Sequence, residues 1–384
     1  MIATTLSAQR AARAPVAVPA TWASFIGHFD STADSTLVVG GSAILVRDGR
    51  VVARHDYGFA DRTLGQRVTD RTLFHYASIT KTLTAIAVMQ LRDRGRLSLD
   101  DRVTRWVPEL RQLHDPYGAI DSVTIRMVLS HTAGFQDSTW PYGTGAAWQP
   151  FEPTSWAQLV AMMPYQELHF RPGTKWSYSN PGYIYLARII EQISGDPWEV
   201  YVQKNILSPL GLWHSYFGAT PYYLAADRSN NYTVVEDSSG RTVVRENGRE
   251  FDPGITIPNG GWNAPLTDLA AYAAFLTGSA RGDTALARRY DAVLSRATLL
   301  EMWQPVIATG GERTESMGLG FFLYNSRGTT YVSHTGSQAG FRSYMLINPA
   351  NATAVIGAIN TACGTPGCAA PAPGQRFAMA LLRP

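Results

Sequence analysis

The chain is poor in lysine. Of its 33 basic residues only Lys81, Lys175 and Lys204 are lysines, which leaves 30 arginines. Arginine keeps its proton at every accessible pH, whereas lysine can lose its proton when burial or a neighbouring positive charge disfavours the cation. Of the two residue types only lysine could act as a base, so the position of each lysine is informative.

Long apolar runs and strong charge are also missing. No stretch approaches the roughly eighteen apolar residues of a membrane-spanning helix, and the densest run, 269–276, predicts a short core helix. The net charge of +3 is small for 384 residues, and no cluster of arginines alternates with aromatic residues. These absences argue against a transmembrane segment and against nucleic acid as a partner.

Several common catalytic motifs are absent as well. The sequence contains no G-x-S-x-G, H-E-x-x-H or G-x-x-x-x-G-K-[ST], and no G-x-G-x-x-G at a strand-to-helix junction. The two cysteines, Cys363 and Cys368, flank a Gly-Thr-Pro-Gly turn, where they either close a small disulfide or stay as inert thiols. No histidine lies nearby to complete a zinc site, so we expect no metal.

Runs rich in β-forming residues lie at both ends of the chain. Asp48-Gly49 separates two of them, which is a strong hairpin signal. The length is sufficient for two domains. The sequence therefore predicts an α+β fold with an antiparallel sheet flanked by helices, built from residues 20–105 and 260–384, and a mainly helical domain with loop insertions, 106–259, inserted between them. Later strands are predicted at 319–324, 330–334, 341–347 and 354–360, and helices at 21–31, 285–302 and 376–382 among others.

Residues 78–94 form the most informative helical pattern. Apolar residues recur at helical spacing and Gly95 follows as a stop signal, so most of this helix should be buried. Ser78 and Lys81 are three residues apart and therefore project from the same face of the first turn. Such an S-x-x-K pattern is typical either of a nucleophile beside a base or of an N-cap serine followed by a solvated lysine.

Two further patterns carry polar groups: Y-S-N at 178–180 precedes a predicted helix, and H-T-G-S at 334–337 closes a β-rich run. The aperiodic stretch 135–153 predicts a long loop at a cleft rim, whose aromatic residues, within 140–151, form either a pocket wall or a packed loop. We interpret His131, which lies in a turn, as a structural hydrogen-bonding residue.

In their order along the chain the three motifs resemble those of the serine β-lactamase and DD-peptidase superfamily. The similarity covers residues 20–362 and is closest to the branch that contains class C β-lactamases, family VIII carboxylesterases and D-aminopeptidases. Supporting segments include L-S-H-T-A-G at 129–134, P-L-G-L at 209–212 and G-G-W at 260–262. The resemblance implies a β-lactamase/transpeptidase-like fold, with the site in the groove between the sheet and the helical domain.

The resemblance also implies a role for each motif residue. Ser78 would be the acylated nucleophile, Lys81 its activating neighbour and Tyr178 the proton shuttle. Asn180 would hydrogen-bond the acyl-side amide of the substrate. The oxyanion hole would consist of the backbone N–H groups of Ser78 and Ser337. The remaining substrate-binding residues would be His334, Thr335 and Gly336.

Two groups are candidates for the base. A free lysine has a pKa of about 10.4, so half of Lys81 would be neutral at pH 7 after a fall of roughly 3.4, and burial alone can supply roughly 3 to 5. Alternatively, a charged Lys81 would lower the pKa of Tyr178, whose phenolate would then be the base. The sequence leaves both alternatives open.

His334 departs from the resembled pattern, because many β-lactamases and DD-peptidases carry lysine at this position. That lysine places a fixed positive charge opposite the substrate carboxylate. A histidine with an ordinary pKa near 6.5 would be only about a quarter protonated at pH 7. We therefore expect weaker attraction for a carboxylate, which favours esters or amides that do not need one.

The sequence thus predicts a serine hydrolase that forms a covalent acyl-enzyme and acts, esterase-like, on short acyl esters or amides of a small-molecule or peptide substrate. The alternatives are a D-aminopeptidase, DD-peptidase or β-lactamase and, in another class, a non-catalytic penicillin-binding or sensor protein. No cofactor is expected, and the oligomeric state stays open. Residues 1–19 contain no continuous apolar segment of signal-peptide length. The cysteine pair and the cell-wall substrates common in the resembled family favour an exported or periplasmic protein over a cytoplasmic one.

Overall fold

The computed structural model describes residues 18–135, 153–310, 315–363 and 372–383. Most of the predicted loop 135–153, including its aromatic segment 140–151, lies outside the described residues. Cys363 is disulfide-bonded, which confirms the first of the two alternatives for this residue. The chain's other cysteine, Cys368, lies outside the described residues. None of the described helices is long and apolar enough to cross a membrane.

Fifteen strands are present in the described residues. They are β1 (Gly40–Arg47), β2 (Arg50–Asp61), β3 (Gln66–Arg67), β4 (Phe74–Ala77), β5 (Tyr216–Phe217), β6 (Asn231–Glu236), β7 (Thr242–Gly248), β8 (Trp262–Ala264), β9 (Ile307–Ala308), β10 (Glu315–Met317), β11 (Phe322–Ser326), β12 (Thr329–Gln338), β13 (Phe341–Asn348), β14 (Thr353–Ile359) and β15 (Thr361–Cys363).

A nine-stranded antiparallel sheet, in the order β3-β2-β1-β14-β13-β12-β11-β10-β9, forms the centre of the described fold. Both ends of the chain contribute to it, as predicted, because β1 pairs with β14 and places Ala43 opposite Gly357. The hairpin between β1 and β2 turns at Asp48 and Gly49, whose φ angles of 47° and 65° are those a tight two-residue hairpin requires.

The described α-helices number twelve. They are α1 (Thr21–Ser35), α2 (Thr80–Asp93), α3 (Ile125–Leu129), α4 (Trp156–Met162), α5 (Asn180–Ser194), α6 (Trp198–Val202), α7 (Ser208–Leu210), α8 (Ile257–Gly260), α9 (Leu266–Thr277), α10 (Thr284–Val293), α11 (Arg296–Met302) and α12 (Ala378–Leu381).

Several predicted boundaries were wrong. The helix predicted at 285–302 is two helices, because Leu294 adopts an extended conformation and the hydroxyl of Ser295 accepts a hydrogen bond from the N–H of Thr298 as the cap of α11. The helix predicted at 376–382 is reduced to the four residues of α12. The strand predicted at 330–334 continues to Gln338, so the H-T-G-S motif lies within β12 and not at its end.

The sheet separates two apolar clusters. Alternate residues of β1 point to opposite faces, so that Ile44 and Val46 join the larger cluster while Leu45 joins the smaller one beneath α1. The larger cluster surrounds α2, which is buried from Thr80 to Leu91 and packs against α5, α6 and α8. Each large apolar side chain buried there contributes about 1.5–3 kcal/mol. This packing fixes the start of α2.

Two small sheets flank the centre. In the first, β4 pairs with β8, and β8 with β5. In the second, β6 and β7 form a hairpin that pairs Glu236 with Thr242. β15 joins this hairpin in parallel and places Thr361 beside Tyr232.

Gly336 allows β12 to approach β4 closely. A Cβ at this position would lie 2.1 Å from the carbonyl oxygen of Tyr76 and 2.7 Å from the hydroxyl of Ser343, so no larger residue fits without displacing backbone. The hydroxyl of Ser343 also donates to the Tyr76 carbonyl at 2.9 Å. These contacts fix the distance between the H-T-G-S segment and the residues that lead into α2.

We expect Gly336→Ala to lower the free energy of unfolding by about 1–3 kcal/mol, the usual cost of overpacking. The matched control is Gly27→Ala at an exposed position of α1, where a Cβ meets nothing within 4 Å and alanine favours the helix. Chemical denaturation of both variants checks this. Equal stability of Gly336→Ala and the wild type would contradict the close approach.

Candidate active site

Lys81 has no exposed surface. Its Nζ atom lies 3.2 Å from the Ser78 hydroxyl oxygen, 2.7 Å from Oδ1 of Asn180 and 2.9 Å from the carbonyl oxygen of Asn259. The structure therefore brings together Ser78, Lys81 and Asn180, as the sequence predicted, and excludes the alternative in which Lys81 is solvated. Burial of an amine in this way requires hydrogen-bond partners on every side.

The backbone presents Ser78 two residues before the first residue of α2. Ala77 has a φ of 46°, which is uncommon for a non-glycine residue, and the carbonyl of Ser78 accepts the N–H of Lys81 at 3.0 Å. The side chain of Ser78 is partly exposed, whereas the residues on both sides of it are buried. The hydroxyl is therefore accessible from the groove while its segment is held by the core.

Tyr178 covers the lysine from the groove side. Lys81 Nζ lies 4.8 Å from the centroid of the Tyr178 ring and 5.6 Å from that of Tyr183. The Tyr178 ring stacks at 6.4 Å on Phe322, and His131 packs against it at 4.5 Å. The predicted proton shuttle is thus beside the predicted base, between two ring systems that hold its orientation.

Asn180 begins α5. The hydroxyl of Ser179 caps this helix by accepting the N–H of Gly182 at 3.2 Å, and Pro181 follows in the first turn. The side-chain amide of Asn259 donates to Oδ1 of Asn180 at 3.2 Å. Oδ1 consequently receives donors from two directions, one of them Lys81, which fixes the orientation of the carboxamide.

His131 supports this segment from below, as predicted for a structural hydrogen-bonding residue. Its Nδ1 accepts the N–H of Ser179 at 3.0 Å, and its carbonyl accepts the N–H of Ser177 at 2.9 Å. Burial, with the positive charge of Lys81 as a second cause, holds the pKa of His131 well below its ordinary value. A neutral imidazole is required here, because Nδ1 must keep its lone pair to accept from Ser179.

A cavity of about 730 Å³ opens above these residues. The H-T-G-S segment of β12 forms one wall, with Thr335 and Ser337 exposed and His334 and Gly336 buried. The cavity is lined by Ser78, Trp176, Tyr178, Asn180, Phe322, His334, Thr335, Gly336, Ser337, Arg342, Ser343, Ala372, Gln375 and Arg376.

The expectation that His334 is about a quarter protonated at pH 7 is wrong. The side chain is 1% exposed, and burial together with the charge of Lys81 lowers its pKa to about 3. Nδ1 lies 2.7 Å from the carbonyl oxygen of Thr335, which can only accept, so Nδ1 carries the single proton. Position 334 therefore supplies no positive charge.

Four residues at the site were missed by sequence reasoning. Asn259 contributes a backbone carbonyl, which leaves no signal in the side-chain pattern, and Phe322 was assigned only to a strand. Arg342 and Arg376 line the cavity from β13 and from the segment before α12. Arg342 faces Ser337 in the strand register, a relation that only the correct extent of β12 reveals. Within the described residues no group of His, Cys, Asp or Glu could hold a metal ion.

The arrangement has the parts of an acyl-transfer site. The Ser78 hydroxyl lies within hydrogen-bond distance of the buried Lys81 amine, and the Tyr178 ring lies beside that amine. Ser78, before α2, and Ser337, in β12, line the same cavity, so their backbone N–H groups are candidates for an oxyanion hole. Such a set can transfer a proton from the hydroxyl, form a covalent acyl ester and stabilise a developing oxyanion.

Comparisons with known proteins agree with this geometry. The profile of the family described as Beta-lactamase matches residues 25–372. A penicillin-binding protein of Bacillus subtilis (strain 168) is 29% identical over 321 residues, which are 80% of this chain and 64% of that protein. This chain therefore spans less than two thirds of the length of that relative. Esterase EstB of Burkholderia gladioli is 32% identical over 276 residues, 64% of this chain and 68% of that one.

Among solved structures, the octameric penicillin-binding protein homologue from Pyrococcus abyssi aligns with a TM-score of 0.76 at 27% identity. The alignment covers 94% of this chain and 77% of that chain. The fold predicted from the motifs is thereby confirmed.

Three buried histidines predict a loss of stability in acid. The pKa values of His75 and His334 are lowered to about 4 and about 3, and that of His131 is also lowered, mainly by burial. Below the unfolded-state pKa near 6.5 the unfolded chain binds more protons, so stability is complete above that pH and falls as the pH drops toward the folded values. Each histidine should remove roughly 1 kcal/mol per pH unit between pH 6 and 5.

Denaturant titrations at several pH values check this, with His334→Gln as the comparison. Because glutamine does not titrate, this variant should lose about a third of the pH slope. An identical slope in the wild type and His334→Gln would show that His334 is not neutral and buried.

Proposed function

The chain belongs to the Beta-lactamase family, and from this premise we propose that it is a serine hydrolase that acts through an acyl-enzyme on Ser78. The observation that carries the proposal is the position of buried Lys81 Nζ, 3.2 Å from the Ser78 hydroxyl and held by the oxygens of Asn180 and Asn259. In the reactive state, in which Lys81 has lost its proton, its amine donates to the two asparagine oxygens and directs its lone pair at the hydroxyl proton. In its protonated state the charge of Lys81 adds to the effect of burial in lowering the pKa values of His131 and His334.

In the proposed reaction, Lys81 takes the proton of Ser78 as the serine oxygen bonds to the acyl carbon of the substrate. The oxyanion of the tetrahedral intermediate accepts hydrogen bonds from the N–H groups of Ser78 and Ser337. The bond to the leaving group then breaks, and Tyr178 passes the proton from Lys81 to that group. In deacylation a water molecule gives a proton to the base as its oxygen bonds to the acyl carbon. The ester bond to Ser78 then breaks, and the proton returns to the serine oxygen as the acid leaves.

Short acyl esters are the substrates that we propose. His334 supplies no positive charge to bind a carboxylate, and the cavity wall around it, formed by Phe322 and Trp176, is aromatic. The similarity to esterase EstB supports this choice. Asn180, whose carboxamide orientation is fixed, is the residue that we propose to bind the acyl side of the substrate, with Thr335 and Gly336 on the opposite wall.

A second candidate function is hydrolysis of a peptide or β-lactam that bears a carboxylate. One observation favours it: two arginines, Arg342 and Arg376, line the same cavity as Ser78, and an arginine is suited to bind a carboxylate. Faster turnover of a D-alanyl-D-alanine peptide or a cephalosporin than of p-nitrophenyl acetate would select this candidate. Preferred turnover of D-aminoacyl anilides would instead select a D-aminopeptidase.

We expect Ser78→Ala to lower kcat/KM for p-nitrophenyl acetate by about 10³-fold or more, because the nucleophile is lost. A fluorophosphonate probe should add its mass to wild-type Ser78 and to no residue of the variant, as peptide mass spectrometry would show. Equal, slow hydrolysis by both proteins would instead support a non-catalytic penicillin-binding or sensor protein.

A further inference from the structure

His75 lies behind the candidate site, three residues before Ser78, and is 1% exposed. Its Nδ1 is 2.9 Å from Oδ1 of Asn263 on β8, and its Nε2 is 3.1 Å from Oε1 of Gln338, the last residue of β12. Gln338 directly follows Ser337. The imidazole of His75 thus connects β4, which leads to Ser78, with β12, which carries Ser337.

The orientation of both carboxamides follows from their other partners. The hydroxyl of Thr256 donates to the carbonyl of Pro253 at 2.5 Å, so it can only accept from Gln338, whose Nε2 is 3.1 Å away. Oε1 of Gln338 must therefore face the imidazole. Likewise the amide nitrogen of Asn263 donates to a backbone carbonyl at 3.1 Å, which turns Oδ1 toward His75.

Two oxygens consequently face one histidine, and only a doubly protonated ring could donate to both. Burial, followed by the charge of Arg228, opposes that state and lowers the pKa of His75 to about 4. Burial lowers the pKa of Arg228, while Tyr216 and Glu250 favour its charged form. At neutral pH the ring therefore carries one proton.

The position of that proton follows from the remaining donors. Arg228 donates to Oδ1 of Asn263 at 2.8 Å, so this oxygen is already satisfied. In the described part of the chain Oε1 of Gln338 accepts from no group other than His75. The proton consequently lies on Nε2, where it satisfies a half-buried oxygen that would otherwise lack a donor among the described residues.

We propose that His75 is a positioning residue that donates a hydrogen bond from Nε2 to Gln338. This bond holds the end of β12, and it thereby fixes the position of the Ser337 N–H relative to the Ser78 N–H. This inference rests on the proposed function. Gly336 brings the two strands into contact, and the His75–Gln338 hydrogen bond closes the contact two residues further along.

Gly260 provides a way to displace the Gln338 carboxamide without changing His75. A Cβ at Gly260 would lie 2.5 Å from Oε1 of Gln338, the flexible end of that side chain, so Gly260→Ala should push the oxygen away from the imidazole. The glycine at this position is explained by the space that the carboxamide needs.

The test measures fluorophosphonate labelling of Ser78, with kcat and KM for p-nitrophenyl acetate, in His75→Phe, Gln338→Leu, the double variant and Gly260→Ala. We expect each to slow labelling and kcat by about tenfold, the effect of one hydrogen bond, while KM stays near the wild-type value. The double variant should be no slower than either single one, because both remove the same bond.

Additive losses in the double variant would overturn the proposal. Nitrogen-15 NMR of labelled histidines provides a readout that needs no activity, since His75 should show a protonated Nε2 and an unprotonated Nδ1. The reverse tautomer would also overturn it. A wild-type protein that shows the expected tautomer but never labels at Ser78 would refute the proposed function instead.

Discussion

The burial of Lys81 is the constraint on which the rest of the site depends. A fully buried ammonium costs several kcal/mol unless it is paired or loses its proton. Here the Nζ atom contacts oxygens of three residues that are distant in sequence, Ser78, Asn180 and Asn259. Satisfying one amine therefore fixes α2, α5 and α8 relative to one another, and it places the Ser78 hydroxyl at the surface of the groove.

The opposite wall is fixed by steric and hydrogen-bonding constraints rather than by charge. Gly336 leaves no room for a side chain between β12 and the Tyr76 carbonyl, and Gln338 contacts the buried His75 just beyond it. Burial and the nearby charge of Lys81 lower the pKa of His334, so this wall carries no positive charge at position 334. Among the described residues that line the cavity, the arginines are Arg342 and Arg376.

The parts of the fold predicted correctly depend on local patterns. The Asp48-Gly49 turn specifies its hairpin by backbone conformation. The resemblance of the three motifs to those of a known family predicted that Ser78, Tyr178 and His334 lie in one groove. What could not be predicted depends on contacts distant in sequence. The burial of His334, which sets its pKa, is created by tertiary packing, and the carbonyl of Asn259 that accepts from Lys81 has no side-chain signature. The helix break at Ser295 was missed because an N-cap serine inside an apolar pattern looks like an ordinary helical residue.

Whether Lys81 or Tyr178 removes the serine proton is tested most directly by the rate at which a fluorophosphonate acylates Ser78 in Lys81→Arg, with Tyr178→Phe measured beside it. Arginine keeps the positive charge but cannot release its proton. If buried Lys81 is the base, Lys81→Arg should label about 10³-fold more slowly than the wild type while thermal unfolding shows a folded protein. Labelling of Lys81→Arg at close to the wild-type rate, together with loss of labelling in Tyr178→Phe, would contradict this and assign the base to the phenolate.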